Sequence, residues 1–232
     1  MLSKVMISIL AVFLVAMAGV TTSMAAPTKG SGDSMVNALI PLSDNEGEDL
    51  VFMREEEKLA RDIYMNMDLE WGLDVFSKIA LSEQRHMDAI KILLDKYNLK
   101  DPVADELVLD DFENVNLQQA YLDFMARGIF SQDAALHVGA EIEEIDILDL
   151  ELTITRTETD HPDIIDTYES LMCGSRNHLR AFVRNINLQG EPYEPLYLDD
   201  DKYDEIITSS MERNCGNSNG TGNKKGKGPH PG

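Results

Sequence analysis

Apolar residues recur at intervals of three and four along four long stretches of this chain, and nowhere does a period of two persist long enough for a strand. A helix with one apolar face must bury that face against another element, so four such helices predict an all-α fold built as a four-helix bundle. Caps and breakers mark the boundaries. Ser43-Asp-Asn-Glu46 is a capping-box pattern that opens the first helix, which runs without proline or glycine over residues 48–70 and stops at Gly72. The second fits residues 74–97, ahead of the Asp101-Pro102 turn. Residues 98–116 read as an ordered acidic connection, and 117–126 as a short helix closed by Gly128. Ser131 caps the third long helix, expected through residue 154, and Pro162 suits the first turn of the fourth, expected through 187. A shorter additional C-terminal helix fits 199–213. The connection over 98–130 is long enough to cross the bundle, so the second and third long helices are expected to run parallel.

The chain ends read differently. Residues 1–25 carry Lys4, an apolar run over 5–20 and small residues at Ser23 and Ala25, the pattern of a signal peptide cleaved after Ala25. An uncleaved amino-terminal anchor is the rival reading, because the run falls just short of the ~17 residues that span a bilayer. Residues 26–42 have the composition of a flexible lead-in, residues 43–213 form the domain, and the Gly, Asn and Lys-rich tail over 214–232 has that of a disordered segment. The mature protein is therefore expected to be exported to a periplasm, cell surface or medium, with no membrane contact after cleavage. Its 232 residues, 43% apolar, suffice for one core. A formal charge of −22 speaks against nucleic acid, which the same surface would repel. Cys173 and Cys215 in an exported chain stand either as one disulfide, tying the fourth long helix to the segment after the last helix, or as free thiols; their spacing makes no metal motif.

Chemistry enters through polar residues on apolar stripes. In the first helix the stripe Leu50, Met53, Glu57, Ala60, Tyr64, Met67 has an acid at its centre. In the second, Phe76, Ile79, Glu83, His86, Ile90 and Leu93 put a carboxylate and an imidazole one turn apart on the inward face. In the fourth, His178 sits among Leu171, Gly174 or Ser175, Phe182 and Ile186. A buried unpaired carboxylate is very unfavourable, so these groups either pair with one another or hold a cation. Glu and His at i and i+3 in a bundle core are the donor set of a carboxylate-bridged two-metal site. Oxygen and imidazole donors together suit iron or manganese, with zinc as a further candidate. The third long helix offers Glu141, Glu143, Glu144 and Asp146. Of these, Glu143 shares a face with Leu136, Ala140, Ile147 and Leu150, Asp146 lies one turn beyond it, and Glu141 shares a face with Ala134, Val138, Ile145 and Leu148.

Glu57-x-x-Ala60-x-x-x-Tyr64 and Ala80-x-x-Glu83-x-x-His86 resemble the first- and second-helix patterns of rubrerythrins, and so the ferritin-like superfamily. That resemblance implies a ferritin-like four-helix bundle with a crossover connection, in which Glu57 is an iron ligand, Glu83 a bridge and His86 a terminal ligand. The set EEEKLARDIY, SEQRHMDAI, VGAEIEEIDILDLE, GSRNHLRAF and Tyr193-Glu-Pro-Leu-Tyr197 is more closely similar to an uncharacterised ferritin-like family known only as a domain of unknown function, over residues 43 to about 210. The family carries no assigned reaction. Its resemblance centres the third-helix motif on Glu143, which is therefore preferred. One departure stands out: a full di-iron pattern would want Glu three residues before His178, and this chain has Ser175. Glu169 cannot replace it, since nine residues span about 13 Å of helix axis.

The expectation is thus an exported ferritin-like metal-binding protein, with iron, mononuclear or as a pair, held by Glu57, Glu83, His86, Glu143 and His178. If it is an enzyme, it is a metal-dependent oxidoreductase of oxidase, peroxidase or ferroxidase type acting with dioxygen or peroxide. The alternative is a metal-free helical envelope protein serving as a binding or structural module. Metal ions are the expected partners, and a homodimer is compatible with the sequence. Glu55 and Glu56 read as solvated acids, His137 and His161 as surface residues, Tyr64 as a packing residue bonded to a carboxylate, and Arg176 and Arg180 as neutralising acids of the third long helix.

Overall fold

The computed structural model describes residues 40–190, 192–213 and 215. The expected signal peptide, most of the expected lead-in and nearly all of the expected tail lie outside the described residues. Within them the chain is all-helical, with α1 over Asp44–Trp71, α2 over Asp74–Lys96, α3 over Val115–Gly128, α4 over Gln132–Arg156, α5 over Pro162–Leu188 and α6 over Asp200–Thr208. No helix among these residues is long and apolar enough to cross a membrane.

The caps act as their chemistry dictates. The Ser43 backbone N–H donates to Glu46 Oε2 at 2.8 Å while Ser43 Oγ accepts from the Glu46 N–H, closing a capping box on α1. Gly72 then adopts the left-handed conformation, φ 64°, that ends α1 and turns the chain into α2. Gly128 differs from its expected role as a terminator, since α3 continues through it to a cap at Ile129. It is a packing glycine, because a Cβ there would lie 2.8 Å from Met67 Sδ. The last helix stops at Thr208, short of the expected 213, because Arg180 reaches the carbonyl of Ile206 at 2.8 Å and the segment after Ser209 turns back onto α5. There Glu212 takes both Arg176, at 2.7 Å, and Arg180, at 3.1 Å, so the direct partner of these arginines follows α6, and α4 contributes to Arg176 through the charge of Glu151 without a bond. The same return is tied by a Cys173–Cys215 disulfide, with 5.5 Å between the Cα atoms.

Inter-helix pairs give the chain directions. Asp49 meets Arg156 and Tyr64 meets Glu143, so α1 and α4 are antiparallel. Lys96 meets Asp163, Glu83 meets His178 and Phe76 packs on Phe182, so α2 and α5 are antiparallel as well. With α1 and α2 joined by a tight turn, α2 and α4 run parallel, linked by a connection that contains α3. That connection is pinned to α1 by ionic groups. Arg54, fully buried, takes Asp101 at 3.1 Å and also Glu106, while Arg61 donates to the Glu106 carbonyl at 3.0 Å. Glu55 accepts the Asn114 N–H at 3.1 Å, and Lys58 lies 4.4 Å over the Phe112 ring. Glu55 and Glu56 are therefore buried, not solvated: the connection covers Glu55, and α4 covers Glu56.

Two apolar layers sandwich a polar one. Toward one end the rings of Tyr64, Phe76 and Phe182 pack at a tilt with centroids 5.2 to 6.2 Å apart. Toward the other, Leu50, Met53, Ile90, Leu93, Leu150, Tyr168 and Leu171 form a buried cluster. Between them lie Glu57, Glu83, His86, Glu143 and His178.

Candidate metal centre

Glu83 is the hinge of the polar layer. Its Oε2 lies 2.7 Å from Nδ1 of His86, one turn further along α2, and its Oε1 lies 2.8 Å from Nδ1 of His178 on α5. Each imidazole has a second carboxylate: Glu57 Oε2 stands 3.1 Å from His86 Nδ1, and Glu143 Oε2 stands 3.4 Å from His178 Nδ1. The layer thus divides into two triads, Glu57, Glu83, His86 and Glu83, Glu143, His178, each offering ligand atoms within 4.8 Å of one another. All five residues are buried, and the two rings face each other at 5.5 Å. All five sequence-predicted residues come together.

Supporting residues hold this arrangement. Tyr64 donates to Glu143 Oε1 at 2.6 Å, the packing and bonding role expected of it. Gly174 lies beneath His86, where a Cβ would sit 2.6 Å from Nε2, so only glycine leaves room for that ring. Gly139 plays the same part beneath Phe182. Ser175, at the position of the absent glutamate, donates to Asp146 Oδ2 on α4. The other acids of α4 are engaged elsewhere: Glu141 takes Arg127 at 2.6 Å, and Glu144 accepts from Tyr193 Oη at 2.6 Å and from the backbone N–H groups of Leu196, Tyr197 and Leu198. The Tyr193-Glu-Pro-Leu-Tyr197 motif is accordingly a clamp around a buried carboxylate. Glu56, with Asp149 beside it on α4, is a buried acid that sequence reasoning placed in solvent; its stripe with Phe52, Leu59 and Ile63 was the available signal. His161 is likewise buried, because Glu46 draws its Nδ1 to 2.8 Å. His137 is half-exposed, as expected.

Electrostatics reflect the crowding. Burial raises the Glu57 carboxyl to about 7, against the opposing pull of His86. Burial also raises Glu143, again opposed by a histidine, His178. For Glu83 burial works in the same direction, but the imidazoles of His178 and His86 outweigh it and hold the carboxyl well below the usual range. Burial lowers His178, yet Glu83 and Glu143 overcome it and bring the ring to about 10, and His86 is raised for the same reason. Without a metal, then, protons on the imidazoles occupy the place of positive charge in the layer. Three donor atoms have no hydrogen-bond partner: Glu57 Oε1, Glu83 Oε1 and His178 Nδ1. The last two approach at 2.8 Å without hydrogen-bond alignment. This donor set fits a divalent cation of the iron, manganese or zinc class.

The family described as an uncharacterised protein domain, DUF2202, matches residues 46–210. The chain belongs to this family. It is 50% identical over 173 residues to an uncharacterised protein of Methanocaldococcus jannaschii, MJ0754, covering 75% of this chain and 92% of that protein. The crystal structure of a hypothetical protein, MJ0754 from Methanococcus jannaschii, matches with a TM-score of 0.72 and 48% identity, over 75% of this chain and 98% of that one. The family match spans α1 through α6, and with them every residue of the two triads.

Proposed function

We propose that this protein is an exported ferritin-like four-helix bundle that holds one or two metal ions, iron first, through Glu57, Glu83, His86, Glu143 and His178. The observation that carries this reading is Glu83, whose two carboxylate oxygens each meet a different imidazole nitrogen, at 2.7 and 2.8 Å. One carboxylate divided between two imidazoles on different helices is the arrangement a bridging metal ligand takes. Parallel α2 and α4, with a Glu-x-x-His step on α2, support the ferritin-like reading. When bound, iron would supply electron transfer to dioxygen or peroxide, chemistry of the oxidase, peroxidase or ferroxidase class. The chain's own contribution is positioning and exclusion of water. Tyr64 fixes the rotamer of Glu143, Gly174 admits the His86 ring, and the Tyr64, Phe76 and Phe182 layer seals one end. The Cys173–Cys215 disulfide supports an oxidising, exported location.

Metal content of protein purified without chelators tests this. Wild type should carry metal, and Glu83→Ala and His86→Ala should lose most of it; equal metal in all three would remove the reading. A second reading, a metal-free envelope protein acting as a binding or structural module, draws on the direct pairing of His86 with Glu57 at 3.1 Å, which partly satisfies both groups without an ion. It predicts a melting temperature indifferent to chelators, whereas a bound ion at a hundred times its Kd adds about 2.7 kcal/mol.

A further inference from the structure

The second triad lacks a carboxylate on the helix that carries its histidine, and α4 holds a buried acid against the residue that stands there. Ser175 stands three residues before His178, as Glu83 stands three before His86. A serine is too short to reach a cation between the helices. Instead its hydroxyl donates across to Oδ2 of Asp146, one turn along α4 from Glu143, with the Leu171 carbonyl 3.0 Å from the same hydroxyl. Asp146 is 6% exposed. Its second oxygen, Oδ1, is buried with no hydrogen-bond partner among the described residues. The charged groups acting on it include Glu57, Glu143 and Glu83, the three carboxylates of the layer, and also Glu56; among the described residues no lysine or arginine pairs with it. A buried carboxylate among others either takes up a proton, as burial and these neighbours favour for Asp146, or shares a cation with them.

Charge counting leads to the same place. Were two divalent ions to occupy the layer, the ionised forms of Glu57, Glu83, Glu143 and Asp146 would together balance their four positive charges. A glutamate at 175 would project into the space that the Asp146 carboxylate fills, so one helix gives up the ligand that the other supplies.

We propose that Asp146 is the fourth carboxylate of a two-cation site, offering Oδ1 to the ions, and that Ser175 is a positioning residue that holds Oδ2. This rests on the metal-binding reading above and extends it from one or two ions to two. Ser175 is then the mark of a ligand relocated from α5 to α4, not of a site half lost.

The test uses the full chain, loaded anaerobically with iron(II), with iron per chain read by elemental analysis and its retention by chelator competition. Wild type should hold two ions. Asp146→Asn, which keeps the side-chain shape, should hold one, with the second weakened at least tenfold, and Ser175→Ala should weaken the second ion by a smaller factor. The double variant S175E/D146A, which restores the α5 carboxylate, should regain the second ion. Melting curves with and without iron should follow the same order. A folded Asp146→Asn protein that keeps two ions at wild-type affinity overturns this inference and leaves the five-residue reading standing, as does a wild type that saturates at one ion. A wild type that takes up no iron overturns both.

Discussion

Glu83 and Gly174 show how far single residues decide this centre. Glu83 is shared by both triads, and Gly174 is the floor on which the His86 ring rests. Gly174→Ala places a methyl 2.6 Å from His86 Nε2, against a ring held between Glu57 and Glu83, so the ring must move. This variant should stay helical by circular dichroism, alanine being the better helix former, and lose ten- to a hundredfold in metal affinity. His161 is a separate case, away from the layer. Its Nδ1 meets Glu46 at 2.8 Å and its Nε2 meets the Ile40 carbonyl at 3.3 Å; both partners are acceptors, so both ring nitrogens carry hydrogen. Burial works against that charge, but the Ile40 carbonyl and Glu46 raise the ring above its ordinary 6.5. A raised histidine contributes stability that is present below 6.5 and is lost as pH climbs through its folded value. Glu46 is shifted the other way: burial raises it, but its bonds to Ser43, Glu158 and His161 bring it below 4.5, so its contribution fades as pH falls. The pair therefore stabilises most between these limits. His161→Asn should lower the melting temperature by several degrees at pH 5.5, about 2 kcal/mol, and by clearly less at pH 9.

At the scale of elements, the caps and stripes made the helices legible. Ser43, Gly72, Ser131 and Pro162 each mark a boundary to within a residue or two, because capping is local chemistry that sequence displays directly. The burial of Glu55, Glu56 and His161 was not legible. Their partners, the N–H groups of Glu113 and Asn114, Asp149 on α4, and Glu46, lie 58, 93 and 115 residues away in the chain for the nearest of each, and no local pattern reports them. The same holds for Arg176 and Arg180, whose partner Glu212 follows the end of α6. Glu144 offers the sharpest test of such a nonlocal tie. Three backbone N–H groups and the Tyr193 hydroxyl converge on its carboxylate, holding the 193–198 segment against α4. Glu144→Ala leaves these donors without an acceptor and should cost about 3–5 kcal/mol in urea denaturation, with new proteolytic cleavage in that segment.

For the whole molecule, the antiparallel pairs α1/α4 and α2/α5, with α2 parallel to α4, bring one turn from each long helix to a single level. The stripes showed which residues point inward, and Glu57, Glu83, His86 and His178 were readable from them. The choice on α4 was harder, since Glu141, Glu143, Glu144 and Asp146 all lie within two turns and all become buried. Tyr64 on α1 decides it by drawing Glu143 into the layer, while Ser175 on α5 holds Asp146, and Arg127 and Tyr193 draw Glu141 and Glu144 away. The layer's acids and imidazoles, enclosed by apolar residues above and below, are the reason a cation is central to the account. Anomalous X-ray diffraction at the iron edge, from crystals of protein loaded with iron(II), tests it most directly. Two peaks should flank the Glu83 carboxylate, one in reach of His86 and Glu57 and the other of His178 and Glu143. Iron bound only at surface acids, or no peak at this level of the bundle, would contradict it.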